Sequence, residues 1–154
     1  MKTLLLLIPL FFISLSSKDK ITKGVFPVDS CNVTRMSSNK LQGIRIHPVG
    51  PRKLLPPGLN ITADIGTPVM ASFSGAVILA DWHGGYGKSI IIQSDSIKTI
   101  YGHLDSIYLT KGDIISKGTV IGELGNTGLS TGPHLFFGIK KEGKFVDPKL
   151  YLDF

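Results

Sequence analysis

Histidine is the side chain best suited to moving a proton or holding a metal near neutral pH, and the chain has four. Two stand where they could do chemistry. His103 lies in Tyr101-Gly102-His103-Leu104, and His134 closes a glycine-rich loop, Gly125 to Pro133, at the entrance to the apolar run Leu135 to Ile139. If that run is a strand, its side chains alternate between two faces. Leu135, Phe137 and Ile139 then share a core face, while His134, Phe136 and Gly138 share the other, where a site would lie. His83, in Asp81-Trp82-His83-Gly84-Gly85, reads as part of an exposed hairpin. Ser74 and Ser130 sit in glycine turns, but no Ser-His-Asp arrangement is visible from their spacing. Asp64, Asp105 and Glu123 do not pair as acid and base and read as turn or surface residues. Trp82, Tyr86 and Phe136 could line a groove. Hairpin packing is the expected role of the first two, whereas parity sets Phe136 beside His134.

The elements that must position these residues are short strands between turn signals. Strands are predicted at 68–73, 76–80, 88–93, 98–104, 107–109, 119–124, 134–140 and 145–146, with at most a helical turn around Pro148 to Leu152. No long window has helical period. The expected fold is all-β, a compact antiparallel β-sandwich or barrel-sandwich hybrid. A weak internal echo relates Gly66–Ile78 to Lys111–Gly122, and two such halves packing face to face would close a sandwich. Lys18 to Lys40 is polar and aperiodic, and reads as a mobile arm with one short strand near Val25 or Val33. Gly43 to Asn60 carries Pro48, Pro51, Pro56 and Pro57. It should be loop or sheet edge, because proline cannot donate to a ladder.

Met1 to Ser17 has the form of a secretory signal: Lys2, an apolar stretch Leu4 to Ile13, and small residues before a cut. That stretch is short for a stable membrane span, which takes about 20 apolar residues. The domains expected are therefore a signal (1–17), an arm (18–42) and one folded domain (43–154). The formal charge is +6, and loss of 1–17 would remove only Lys2 from it. A basic exported protein suits anionic envelope surfaces. No run of Lys and Arg interleaved with aromatics points to nucleic acid. Cys31 is the one cysteine, which excludes an internal disulfide and a cysteine-rich zinc knuckle. It reads as a semi-buried structural thiol.

An ordered set of motifs carries a resemblance. Gly43-Ile44-Arg45-Ile46-His47-Pro48, Gly66-Thr67-Pro68-Val69, Gly85-Tyr86-Gly87, Tyr101-Gly102-His103-Leu104, Lys111-Gly112-Asp113 with Lys117-Gly118, Gly122 to Leu135, and Val146-Asp147-Pro148 follow one another. Over about residues 43–152 the chain resembles the lysostaphin-type (LytM-like) zinc endopeptidases of bacterial cell walls. The resemblance implies a zinc held by a His-x-Gly-x-Asp motif and by the second histidine of His-x-His. Catalytic zinc needs three such ligands and an open position for water. Aligned here, those three positions are Pro56, Asn60 and Phe136. Proline and phenylalanine have no donor atom, and a neutral amide is a poor zinc ligand, so no metal is expected. The accessory histidines of the family correspond to His103 and His134. They are expected to survive as hydrogen-bonded groups on a groove floor, insufficient for catalysis alone. His47 matches a segment in which the histidine is not a ligand.

The resemblance thus implies an exported, catalytically inactive domain, in the periplasm or outside the cell. Its former active-site groove would bind peptidoglycan peptide or an envelope protein such as a wall hydrolase. The alternative is an active peptidoglycan metalloendopeptidase with a non-standard zinc site, for instance one built from His47, His103 and His134. A biotinyl- or lipoyl-like carrier is the remote alternative; the sandwich halves suit it, but no Met-Lys-Met or Asp-Lys-Ala tip occurs.

Overall fold

The structure, a computed structural model, describes residues 22–32, 35–39 and 57–154. The expected signal at 1–17, His47, Pro56 and the side chain of Cys31 lie outside the described residues. Among the described residues ten strands make one antiparallel sheet: β1 (Arg35–Asn39), β2 (Gly58–Thr62), β3 (Pro68–Met70), β4 (Gly75–Trp82), β5 (Lys88–Ser94), β6 (Ile97–Ile107), β7 (Ile114–Ile115), β8 (Val120–Leu124), β9 (Leu135–Lys141) and β10 (Lys144–Val146). The main path runs β1-β2-β9-β6-β5-β4-β7, and β8 joins β6 and carries β3. No helix among the described residues is long and apolar enough to cross a membrane.

β6 is the pivot. Its first part, from Ile97 to Gly102, pairs with β5 and β9, and its end, from Leu104 to Ile107, pairs with β8. The β3–β8 pair is thereby folded over the inner face of the main path. Core residues come from both layers: Leu59, Ile61, Ile90, Ile92, Tyr101, Phe137 and Ile139 from one, Val69, Ile121 and Leu124 from the other. This is the expected sandwich, with alternation in β9 as the sequence predicts: Leu135, Phe137 and Ile139 all belong to the main core. The echoed segments do meet, but edge to edge rather than face to face. β3 pairs with β8 and β4 with β7, and the Ala71 amide donates to the Thr119 carbonyl at 2.8 Å.

Three expectations are corrected. Gly58 to Asn60 is neither loop nor edge: β2 lies between β1 and β9. The prolines stop short of it, so its ladder is intact on both sides. The stretch read as a mobile arm is packed onto the domain over its described parts. Val28 is in the core, Gly24 bridges Leu152, and a strand falls at Arg35–Asn39 rather than at Val25, while Val33 lies outside the described residues. Strand β6 also runs unbroken to Ile107, where a separate strand was expected.

Candidate functional site

Strand pairing builds the site face row by row. Phe136 of β9 stands opposite Asn60 of β2 and Gly102 of β6, so these three share the face away from the main core. Directly opposite residues point to the same side of a sheet. The next row brings Gly138 opposite Ile100. Ile100 and Phe136 are both 3% exposed yet stand outside the main hydrophobic cluster.

By simple alternation His103 would point into the main core beside Tyr101. A bulge prevents this. Lys88 pairs with Leu104 and Ile90 with Tyr101, so β6 carries one residue more than β5 across this interval. His103 absorbs the extra residue with a positive φ of 63°, a conformation histidine tolerates better than most side chains. Its ring lies 4.6 Å from that of His134, centroid to centroid. The two histidines predicted from 31 residues of separation are therefore brought together.

Both rings are oriented by main-chain carbonyls. Nδ1 of His103 is 2.8 Å from the Thr127 carbonyl oxygen, and Nδ1 of His134 is 2.8 Å from that of Gly132. A carbonyl oxygen only accepts, so each Nδ1 carries the proton and the lone pair of the neutral ring falls on Nε2. Ser130 Oγ lies 3.1 Å from the same Nδ1 of His134 and donates to the Gly132 carbonyl at 2.7 Å. Nδ1 is a donor there and cannot take the hydroxyl proton, so Ser130 and His134 do not form a nucleophile–base pair.

Thr127 was not singled out by sequence reasoning, yet it ties the loop together. Its carbonyl holds His103, its hydroxyl donates to the Leu104 carbonyl at 2.7 Å, and it accepts from the Lys88 amide at 3.1 Å. Close glycines let the loop approach. A Cβ at Gly87 would stand 2.5 Å from Thr127, and one at Gly128 only 2.4 Å from the Gly87 nitrogen. The glycine density of this segment was the available signal.

Phe136 is cradled by glycines. A Cβ at Gly58 would meet its ring at 2.7 Å, and one at Gly138 at 3.1 Å. Tyr86 closes the remaining side, its ring centroid 5.0 Å from that of Phe136, and His83 stacks on Tyr86 at 5.6 Å. Tyr86 is thus a wall of the site and not merely a hairpin filler; burial pushes its hydroxyl up to about 12. Trp82 remains 58% exposed. Glu123 is held by the Tyr108 hydroxyl, and the Asp64 carbonyl receives Thr67.

These residues do not fit zinc. Of the three positions at which the resemblance sets ligands, Asn60 and Phe136 are described and stand opposite one another. Phe136 supplies a packed hydrocarbon ring where a donor would be needed. Among the described residues no group of three His, Cys, Asp or Glu is placed to hold a metal.

Comparison with known proteins agrees with this architecture. The DD-carboxypeptidase/endopeptidase Mpg of Neisseria meningitidis serogroup B is 37% identical over 127 residues, which is 82% of this chain and 29% of that protein. The chain thus spans less than a third of that relative's length. A zinc containing peptidase from Vibrio cholerae superposes with a TM-score of 0.69 at 34% identity, over 82% of this chain and 39% of that one. The catalytic domain of lysostaphin from Staphylococcus simulans superposes with a TM-score of 0.67 at 29% identity, over 79% of this chain and 92% of that domain. The sequence profile of peptidase family M23 matches residues 55–148, a span that holds β2 through β10 and both site histidines; the chain belongs to peptidase family M23.

Proposed function

We propose that this chain is an exported, catalytically inert member of its family. It binds cell-wall peptide along the former active-site groove without cleaving it. The observation that carries the reading is the burial of the Phe136 ring between Gly58, Gly138 and Tyr86. The family resemblance sets a zinc ligand at that position, and hydrocarbon occupies the volume instead. A lone substitution at a metal ligand could be compensated by a shifted donor. A ring around which two glycines and a tyrosine close leaves no room for one.

The scaffold of recognition persists beside the lost chemistry. His103 and His134 keep their Nδ1 protons on carbonyls, and their rings lie against one another. Such a pair can accept hydrogen bonds from the amides of an extended peptide. Alone it lacks the charge stabilisation a metal supplies to a developing oxyanion. The relatives named for peptidoglycan or carboxypeptidase and endopeptidase activity suggest the ligand class. An envelope protein is the other partner this groove could take.

The test is metal analysis of purified protein beside the triple variant Pro56→His, Asn60→Asp, Phe136→His, with digestion of purified wall as a second readout. The native chain should hold no stoichiometric zinc and release no wall fragments, and the variant should gain zinc. Tight zinc with chelator-sensitive cleavage by the native chain would overturn the reading.

A further inference from the structure

The site face does not end at Phe136. One row beyond Gly138, Lys140 of β9 stands directly opposite Lys98 of β6 and Phe145 of β10. The face is continuous across these rows. A Cβ at Gly138 would meet the Phe145 ring at 3.0 Å and the Phe136 ring at 3.1 Å, so both rings flank the same glycine. Lys140 Nζ lies 4.6 Å over the Phe145 ring. That cation–π contact holds the ammonium near the sheet.

Two like charges directly opposite across strands repel and destabilise a sheet. Among the described residues neither lysine has a carboxylate partner in an ion pair. Lys141 and Lys144, opposite one another at the same end, add to the field, against Asp95 and Glu142 in the adjoining turns. A local arrangement that works against folding marks a candidate functional position. Here the missing component is an anion. The lysine row is four residues from Phe136 along β9, roughly 13 Å at strand spacing, which an extended peptide covers with about four residues.

We infer that Lys98 and Lys140 form a carboxylate-binding subsite at the far end of the site face. It takes a free carboxylate of a cell-wall peptide that crosses the outer face of the sheet toward His134. The inference rests on the peptide-binding reading above and adds to it a charge requirement and a place. A free carboxylate meets two ammonium groups, one of them already positioned; an amidated peptide meets them with no charge to pair.

The experiment is calorimetric titration of the purified protein with a cell-wall tetrapeptide bearing free carboxylates, and with the same peptide amidated at those carboxylates. Wild type should bind the acid form about tenfold more tightly. The variant Lys98→Gln/Lys140→Gln should bind both forms with the weaker affinity and should melt no lower than wild type. Equal affinity of wild type for the two forms overturns the subsite and leaves peptide binding intact. No binding of either form removes the peptide-binding reading and the subsite with it. Vesicles of anionic phosphatidylglycerol provide the other arm. If the variant loses vesicle binding but keeps the acid-over-amide preference, the lysines serve a membrane surface and the inference falls. If the double variant does not fold, the single variant Lys98→Gln, at an exposed position, supplies the same comparison.

Discussion

A phenyl ring at position 136 needs room on both flanks, and two glycines make that room. Phe136 is 3% exposed, and its replacement by alanine should cost about 3–5 kcal/mol of stability, read from urea unfolding. Gly58→Ala should cost about 1–3 kcal/mol through overpacking. Replacing Phe136 with leucine should not restore it, because the new methyl would also stand 2.8 Å from the Phe137 carbonyl. Much of this was legible beforehand. Strand parity sets His134 and Phe136 on one face, and the family resemblance marks position 136 as a lost ligand. The depth of burial was not legible. It depends on Tyr86, which reaches Phe136 from a turn 50 residues earlier in the chain, and no local pattern records such a contact.

At the scale of elements, the bulge in β6 and the loop from Gly125 to Pro133 act as one unit. The bulge turns His103 out of the core, and the Thr127 carbonyl then receives its Nδ1 proton. Thr127→Val removes the hydroxyl that bridges Leu104 and Lys88. Its expected cost is about 1–3 kcal/mol, because polar groups lose their partners. Hydrogen exchange should quicken at the Leu129 amide, which bonds the Gly85 carbonyl within the same unit, while the Ile90 amide in the core should be unaffected. A readable sign of the loop was its run of glycines. The bulge had no such sign, since histidine at positive φ looks like any other histidine in a sequence. β2 was missed for a related reason: prolines at 56 and 57 suggested a loop, but the ladder begins immediately after them.

For the molecule as a whole, high pH probes how the buried tyrosines hold. Tyr86 ionises near 10 when unfolded and at about 12 when folded, and burial likewise raises Tyr101. A raised acid pKa means the native state keeps its proton longer. The stabilisation is fully present below about pH 10 and is lost as pH rises through about pH 12. Urea midpoints should fall across that window, and the fall should be shallower in Tyr86→Phe. A second whole-molecule property lies in how the outer segments meet. Gly24 and Leu152 form a parallel bridge, in which the Gly24 amide bonds the Tyr151 carbonyl and the Asp153 amide bonds that of Gly24. In parallel neighbours the preceding chain leaves at one end and the following chain at the other. A pulling force applied between residues 22 and 154 would therefore load these bonds in shear, all at once, rather than unzip them one after another. The two bonds of this bridge would thus resist such a force together.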